Sequence, residues 1–403
     1  MATHQRLHTK YRVPMSSPDL SEAERQAVAA VLRTPHLSMG SEIEAFEAAF
    51  CQATGAQHAI GVNSGTAGLH LCVRAAGIGH NDGQAGDLVI TTPFSFVAST
   101  NVLLFEGAVP VFVDVDPVTG NIDAQQAAQA AEDLMAGGTA AQRWLPRRGS
   151  EGSGRLKGLL PVDVFGQPAD FDPLLDIAKR FNLKVIEDSC EALGASYKGR
   201  LAGRLGDYGV YAFYPNKQIT TGEGAVIVTD DDQAAGLMRA LRNQGRAPGD
   251  TWLAHTHLGY NYRLDEMSAA LGRAQMSRLD ELLDKRQQVA DWYQERLAEI
   301  AGVEALQVSA ETTRMSWFVY VVRFASSELR ERAANQLEMG GIPARPYFVP
   351  IHLQPYMQQR FDYREGDFPV TEDLGKRGLA LPFSSVMTEE QVEIVCHTLS
   401  ELL

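Results

Sequence analysis

The sequence predicts an α/β protein with a largely parallel central sheet covered by helices, followed by a smaller α+β portion. Three observations carry this expectation. Short unbroken apolar runs recur as far as Thr229, segments of helical period separate them, and the pattern changes character in the C-terminal tail. Strands that alternate with helices build parallel sheets buried on both faces, and such strands read as continuous apolar runs. At 403 residues the chain exceeds one ordinary core, so two domains are expected, residues 1–265 and 266–403.

The elements follow in order. Ser21-Glu22-Ala23-Glu24 is a capping box that opens a helix. A second amphipathic helix covers 42–51. Strands are expected at 59–62, 88–91, 109–113, 158–162, 184–187 and 225–229, with helices at 66–76, 96–105, 123–135 and 173–181. Residues 136–157 are rich in Gly, Ser and Arg without any period, and read as a surface excursion. A long helical stretch at 264–300 is expected to break near Asp284. A strand at 317–324 and helices at 327–340 and 389–403 complete the tail.

Bulk composition narrows the function. The formal net charge of −14 and the lack of a strong basic run argue against nucleic acid. No run approaches the roughly 20 apolar residues of a membrane helix, and the polar start Met1–Lys10 lacks the apolar core of a secretion signal. The four cysteines, Cys51, Cys72, Cys190 and Cys396, are scattered without CxxC spacing. A metal site or a disulfide framework is therefore not expected, and the chain reads as cytoplasmic with reduced thiols.

The chemistry concentrates around Lys217, in the run Tyr211-Ala-Phe-Tyr-Pro-Asn-Lys217-Gln-Ile-Thr-Thr-Gly-Glu-Gly224. An apolar lead-in delivers one lysine to a turn, and a second apolar strand follows at once. A lysine held there is poorly solvated, which disfavours its ammonium form and frees its amine to attack a carbonyl. A single lysine is ordinarily a solvated surface charge, and its neighbours change that reading. Asp188 ends a buried strand at the carboxyl edge where α/β sheets bind ligands, while Glu187 points to the opposite face. Ser64-Gly65-Thr66 forms a small-residue turn before a helix start, where free amides and the helix dipole favour an anion. A Ser or Thr there is more often a plain N-cap. Amine, acid and phosphate cradle together are what pyridoxal phosphate requires. The chain has no GxxxxGK[ST] loop, and no GxGxxG at a strand–helix junction.

With these residues in place, the chain resembles the DegT–DnrJ–StrS family of sugar aminotransferases, which share the type I fold of pyridoxal phosphate enzymes. The match runs from Ser64-Gly65-Thr66 through Thr92-Pro-Phe-Ser-Phe96-Val, Val164-Phe-Gly-Gln-Pro168, Glu187-Asp188-Ser-Cys-Glu191-Ala and Phe213-Tyr-Pro-Asn216-Lys217. It continues through Gly259-Tyr-Asn261-Tyr-Arg263, Pro350-Ile-His352-Leu-Gln-Pro355 and Leu381-Pro382. The resemblance implies that Lys217 forms the Schiff base and shuttles a proton between substrate and cofactor carbons. It implies that Asp188 holds the pyridine nitrogen, that Phe96 stacks on the ring, and that Gly65 and Thr66 bind the phosphate. Asn261 would reach the cofactor of a neighbouring subunit, making a homodimer with shared active sites. His352 and Tyr347 would lie at the sugar site. Three departures stand out. Ala212 occupies a position where many relatives have a phosphate-binding serine, leaving Ser64 or Asn216 to supply that contact. Glu191 stands near the cofactor ring where Gln or His is common, and the loop at 136–157 is longer than usual.

The implied reaction moves an amino group from an amino acid, L-glutamate by resemblance, to a keto sugar nucleotide. Related enzymes use keto-cyclitols. A sugar dehydratase on the same scaffold carries histidine in place of the lysine, so Lys217 argues against it. A turnover-dead regulator is opposed by the intact Asp188 and Lys217 pair. A nicotinamide dehydrogenase rests on fold class alone.

Overall fold

A computed structural model describes residues 11–79, 86–152, 154–247, 249–251 and 253–402. The expectation for Met1–Lys10 lies outside these residues. Helices α1 (Glu22–Val31) and α2 (Ser41–Thr54) precede β1 (His58–Val62), α3 (Gly65–Ala75), β2 (Leu88–Thr91), α4 (Ala98–Phe105) and β3 (Val109–Phe112). Then come α5 (Ala124–Ala136), α6 (Gly138–Gln142), β4 (Leu156–Leu160), α7 (Phe171–Phe181) and β5 (Lys184–Asp188). Two short strands, β6 (Ser196–Tyr197) and β7 (Arg200–Leu201), lead to β8 (Tyr208–Ala212), β9 (Ala225–Thr229) and α8 (Asp232–Arg242). The C-terminal part holds α9 (Glu266–Met276), α10 (Leu279–Leu297), β10 (Val303–Ala305), β11 (Thr312–Arg314), β12 (Tyr320–Phe324) and α11 (Ser327–Met339). It ends with α12 (Pro355–Phe361), α13 (Pro369–Arg377), β13 (Gly378–Leu381) and α14 (Glu389–Ser400).

The central sheet has seven strands in the order β1-β9-β8-β5-β4-β2-β3. It is parallel except at β9, which runs antiparallel to both neighbours. Every strand of this sheet except the edge strand β3 divides its side chains between two apolar clusters. On β5, Val185 packs with α5 and α7, while Ile186 faces the opposite side with residues of α3. That period-2 division buries both faces, which is why the strands read as unbroken apolar runs. A three-stranded antiparallel sheet, β10-β12-β13, forms the C-terminal counterpart, and β11 reaches back to pair with β6.

The Ser21 capping box forms as the sequence predicts, and Glu24 does more than cap. Its buried carboxylate also accepts bonds from Gln275 and Arg278. Those bonds explain a correction. The long C-terminal helix breaks between α9 and α10 at Ser277 and Arg278, ahead of the expected Asp284. Arg278 leaves helical geometry there because its guanidinium is tied to Asp19 and Glu24, partners more than 250 residues away in sequence. The excursion at 136–157 also carries more structure than expected. It contains α6, the Trp144 indole donates to Asp133 at 2.7 Å, and Arg147 holds Asp367 through two bonds of 2.6 Å. The strand expected at 317–324 begins only at Tyr320, because Trp317 adopts a left-handed backbone with φ of 51°.

Glu266 shows how α9 fixes the start of α2. Its buried carboxylate accepts the N–H groups of Gly40, Glu42 and Ile43 at 2.8–3.2 Å. These amides belong to a helix start that has no side-chain cap of its own. Replacing Glu266 by Ala strands three donors and is expected to cost about 3 kcal/mol. Glu266→Gln, which keeps an acceptor, should cost less. Denaturant unfolding checks this; equal stability of the two variants would contradict it.

Candidate active site

Three chain segments meet at the carboxyl edge of the sheet. The strand β5 ends in Asp188, β8 ends at Ala212 and continues into the Lys217 turn, and β1 leads through Ser64 into α3. Gly65 shows how close they come. A Cβ placed on it would lie 3.0 Å from both Ala212 Cβ and Cys190 Sγ. The first amides of α3, at Gly65 and Thr66, have no intrahelical acceptor and carry the positive end of the helix dipole. Ser64 is the N-cap, its hydroxyl accepting from Ala67 N–H at 3.1 Å.

Asp188 is buried and accepts from Ser99 Oγ at 2.7 Å and from the Cys190 amide at 3.2 Å. Glu187 turns the other way, as the strand period predicts, and accepts the amides of Gly203, Leu205 and Gly206. Ser99 was not among the expected site residues, since nothing local distinguishes one serine on α4.

Lys217 lies in a closed setting. Its Nζ stands 3.6 Å from the centroid of the Phe318 ring and 3.5 Å from Glu191 Oε1, with its side chain 13% exposed. The turn that carries it is held from beneath by Arg286. That guanidinium donates to the carbonyls of Asn216 and Lys217 and to those of Trp317 and Phe318. Gln218 Nε2 donates to the Glu191 carbonyl and, at 2.9 Å, to Ser316 Oγ. Phe318 and Arg286 were not expected at the site either. Arg286 had a readable signal: it is a charge on the apolar face of α10, between Leu283 and Val289.

The other expected residues divide. Phe96 stands 63% exposed while Phe94 is core against Phe165 and Phe348, so only Phe96 is free to cover a ligand. Asn216 leaves its Oδ1 buried without a partner among the described residues. Asn261 is exposed beside the Ser64 turn, its carbonyl accepting from Asn63 Nδ2 at 3.3 Å. The Tyr347 ring lies against Phe165 and Phe318, its phenol pushed up to about 12 by burial and by the charge of Glu191. His352 departs from expectation. It is fully buried, bonded to Glu372 at 3.0 Å and packed on Phe368, so it presents no surface to a sugar. Burial also holds its pKa below the usual histidine range.

These residues fit pyridoxal phosphate. The donors at Gly65 and Thr66 suit a phosphate, Asp188 suits a protonated ring nitrogen, Phe96 offers an open face, and Lys217 supplies the amine. Asn216, the residue before Lys217, contributes an acceptor without a partner among the described residues.

A profile of the DegT/DnrJ/EryC1/StrS aminotransferase family matches residues 18–400. The chain is 37% identical over 396 residues to a GDP-perosamine synthase of Caulobacter vibrioides, covering 97% of this chain and 98% of that one. It is 31% identical over 407 residues to the spore coat polysaccharide biosynthesis protein SpsC of Bacillus subtilis, covering 97% of each. Among solved structures, S. venezuelae DesV in complex with a ketimine intermediate superposes with a TM-score of 0.84 at 31% identity, covering 97% of this chain and 98% of that one. Helicobacter pylori PseC, an aminotransferase of pseudoaminic acid biosynthesis, gives 0.85 at 26% with the same coverage. The chain belongs to the DegT/DnrJ/EryC1/StrS aminotransferase family and is a pyridoxal phosphate-dependent aminotransferase of the type I fold.

Proposed function

We propose that this aminotransferase moves an amino group from an amino acid, L-glutamate, to a keto sugar carried on a nucleotide, and that it works as a homodimer with shared active sites. The observation that carries this reading is the convergence of Lys217, Asp188 and the open amides of α3 at one sheet edge. The GDP-perosamine synthases of Caulobacter vibrioides and Escherichia coli O157:H7, at 37% and 31% identity, favour a nucleotide-linked sugar. The dimer is supported by the Tyr214 ring, 54% exposed in the single chain and close to Lys217 in sequence. Residues 1–265 would form the cofactor domain and 266–403 the smaller one, with Phe318 and Tyr347 brought to the site by the latter.

Pyridoxal phosphate supplies an aldehyde for covalent attachment and a ring that draws electrons from the bond being broken. Gly65 and Thr66 hold its phosphate by their amides, and Ser64 orders that turn. Ala212, lacking a hydroxyl, leaves Asn216 as the nearby polar side chain. Asn261 serves the neighbouring subunit. Asp188, fixed by Ser99 and the Cys190 amide, keeps a proton on the ring nitrogen. Phe96 covers the exposed ring face and excludes water. Lys217 would take the proton from the substrate carbon and deliver it to its new carbon. Tyr347 lines the sugar side. Because donor and acceptor use the same site in turn, the kinetics are ping-pong.

Lys217→Ala should abolish amino transfer while leaving the far-UV spectrum unchanged. Borohydride reduction of the wild type, followed by peptide mapping, should mark Lys217; a mark on another lysine contradicts the assignment. Asp188→Asn should still take up cofactor but turn over roughly a hundred- to a thousandfold more slowly. A near-normal rate in that variant would mean that Asp188 does not set the charge of the ring nitrogen.

A further inference from the structure

Glu191 occupies the position where the resemblance leads one to expect Gln or His, and both ends of the residue engage the lysine turn. Its Oε2 accepts the Phe165 amide at 2.9 Å, and its Oε1 faces Lys217 Nζ at 3.5 Å. Its carbonyl accepts from Gln218 Nε2, the next residue after Lys217, and from Ser316 Oγ. The Phe165 amide is itself aimed by a rare backbone. Phe165 has φ of 62°, and Gly166 at 96° lies so close to the 316–318 turn that a Cβ would sit 2.8 Å from Ser316 Oγ and Trp317 N. The carboxylate is therefore held in place.

The titratable groups around Glu191 are Lys217, Asp188, the Cys190 thiol and the Tyr347 phenol. Burial pushes the thiol and the phenol up, so both stay neutral near pH 7. Burial also raises the Glu191 carboxyl, with Asp188 adding to the rise, while Lys217 and the Phe165 amide work against it. Of these neighbours Lys217 alone offers a positive charge.

We propose that Glu191 is a positioning residue that supplies the counter-charge for the Lys217 nitrogen whenever that nitrogen is positive. The inference rests on reading Lys217 as the lysine that joins the cofactor and carries the proton. In the transfer the substrate C–H bond breaks and its electron pair stays on the carbon side. The proton forms a new N–H bond on Lys217, whose nitrogen becomes an ammonium. The same proton then leaves nitrogen to form a C–H bond at its new carbon, and the pair returns to nitrogen. Glu191 gains and loses no proton in this cycle; its charge lowers the energy of the ammonium stage. A Gln at this position would keep the shape and, through its one carbonyl oxygen, the Phe165 contact, and would turn a neutral NH2 group toward Lys217 in place of the carboxylate oxygen.

The test is a pH titration of the visible absorbance of the holoenzyme, which follows protonation at the Lys217 nitrogen. A carboxylate at this distance favours the positive form, so Glu191→Gln should move the midpoint down by roughly one pH unit or more, a tenfold change in proton affinity. Glu191→Asp, which keeps the charge, should stay closer to the wild type than Gln does. A Gln midpoint within about 0.2 units of wild type overturns the proposal. Should the Gln variant fail to hold cofactor, the comparison moves to the full-length apo chain, with acetic anhydride labelling of Lys217 read by peptide mapping across pH. Labelling about tenfold faster in the Gln variant at a fixed acidic pH supports the counter-charge, and equal rates overturn it. A wild type that develops no visible band with excess pyridoxal phosphate would instead contradict the role of Lys217 itself.

Discussion

The site depends on one buried cation. Arg286 is 2% exposed, and its guanidinium donates to four backbone carbonyls, those of Asn216, Lys217, Trp317 and Phe318. Burial draws its pKa down to about 10, so it remains charged at neutral pH. A desolvated guanidinium costs several kcal/mol unless its donors are used. Here four bonds from its two terminal nitrogens go to two turns, one bearing Lys217 and one bearing the ring above it, while its Nε–H has no partner among the described residues. The first turn follows the central sheet and the second belongs to the C-terminal part. A single side chain on α10 thus makes their relative position a condition of its own burial.

Two left-handed residues lie where the turn at 164–166 meets the turn at 316–318. Phe165 and Trp317 both adopt left-handed backbone, a conformation worth about 1–3 kcal/mol each against a bulky side chain. The two turns pair through Ser316 N–H to Gly166 and Phe318 N–H to Phe165, each at 3.1 Å. What that arrangement achieves is directional: the Phe165 amide points at Glu191, and the Phe318 ring closes over Lys217. Asp188 is fixed from a different quarter, by Ser99 on α4. Acid and amine are therefore oriented by independent elements, and each is set before any ligand arrives.

Much of the fold was legible because both faces of the sheet are buried. Continuous apolar runs such as Leu88–Thr91 and Ala225–Thr229 allow few readings, and they became β2 and β9 within a residue. The placement of Asp188 and Lys217 at a strand end and in a turn was legible for the same reason, since each follows such a run. Long-range partners were not. The break at Arg278 depends on Asp19 and Glu24, and the left-handed Trp317 depends on Gly166 and Arg286, none of which a local window contains. His352 misled for a related reason: the motif around it matches, but Glu372 and Phe368 turn it into the core. Ser99 carried no signal at all.

The most direct measurement is a crystal structure of the full-length protein grown with excess pyridoxal phosphate. The predicted result is continuous density from Lys217 Nζ to the cofactor, Asp188 within hydrogen-bonding distance of the ring nitrogen, and the phosphate on the amides of Gly65 and Thr66. Cofactor bound elsewhere, or a Lys217 side chain swung out from under Phe318 into solvent, would contradict it.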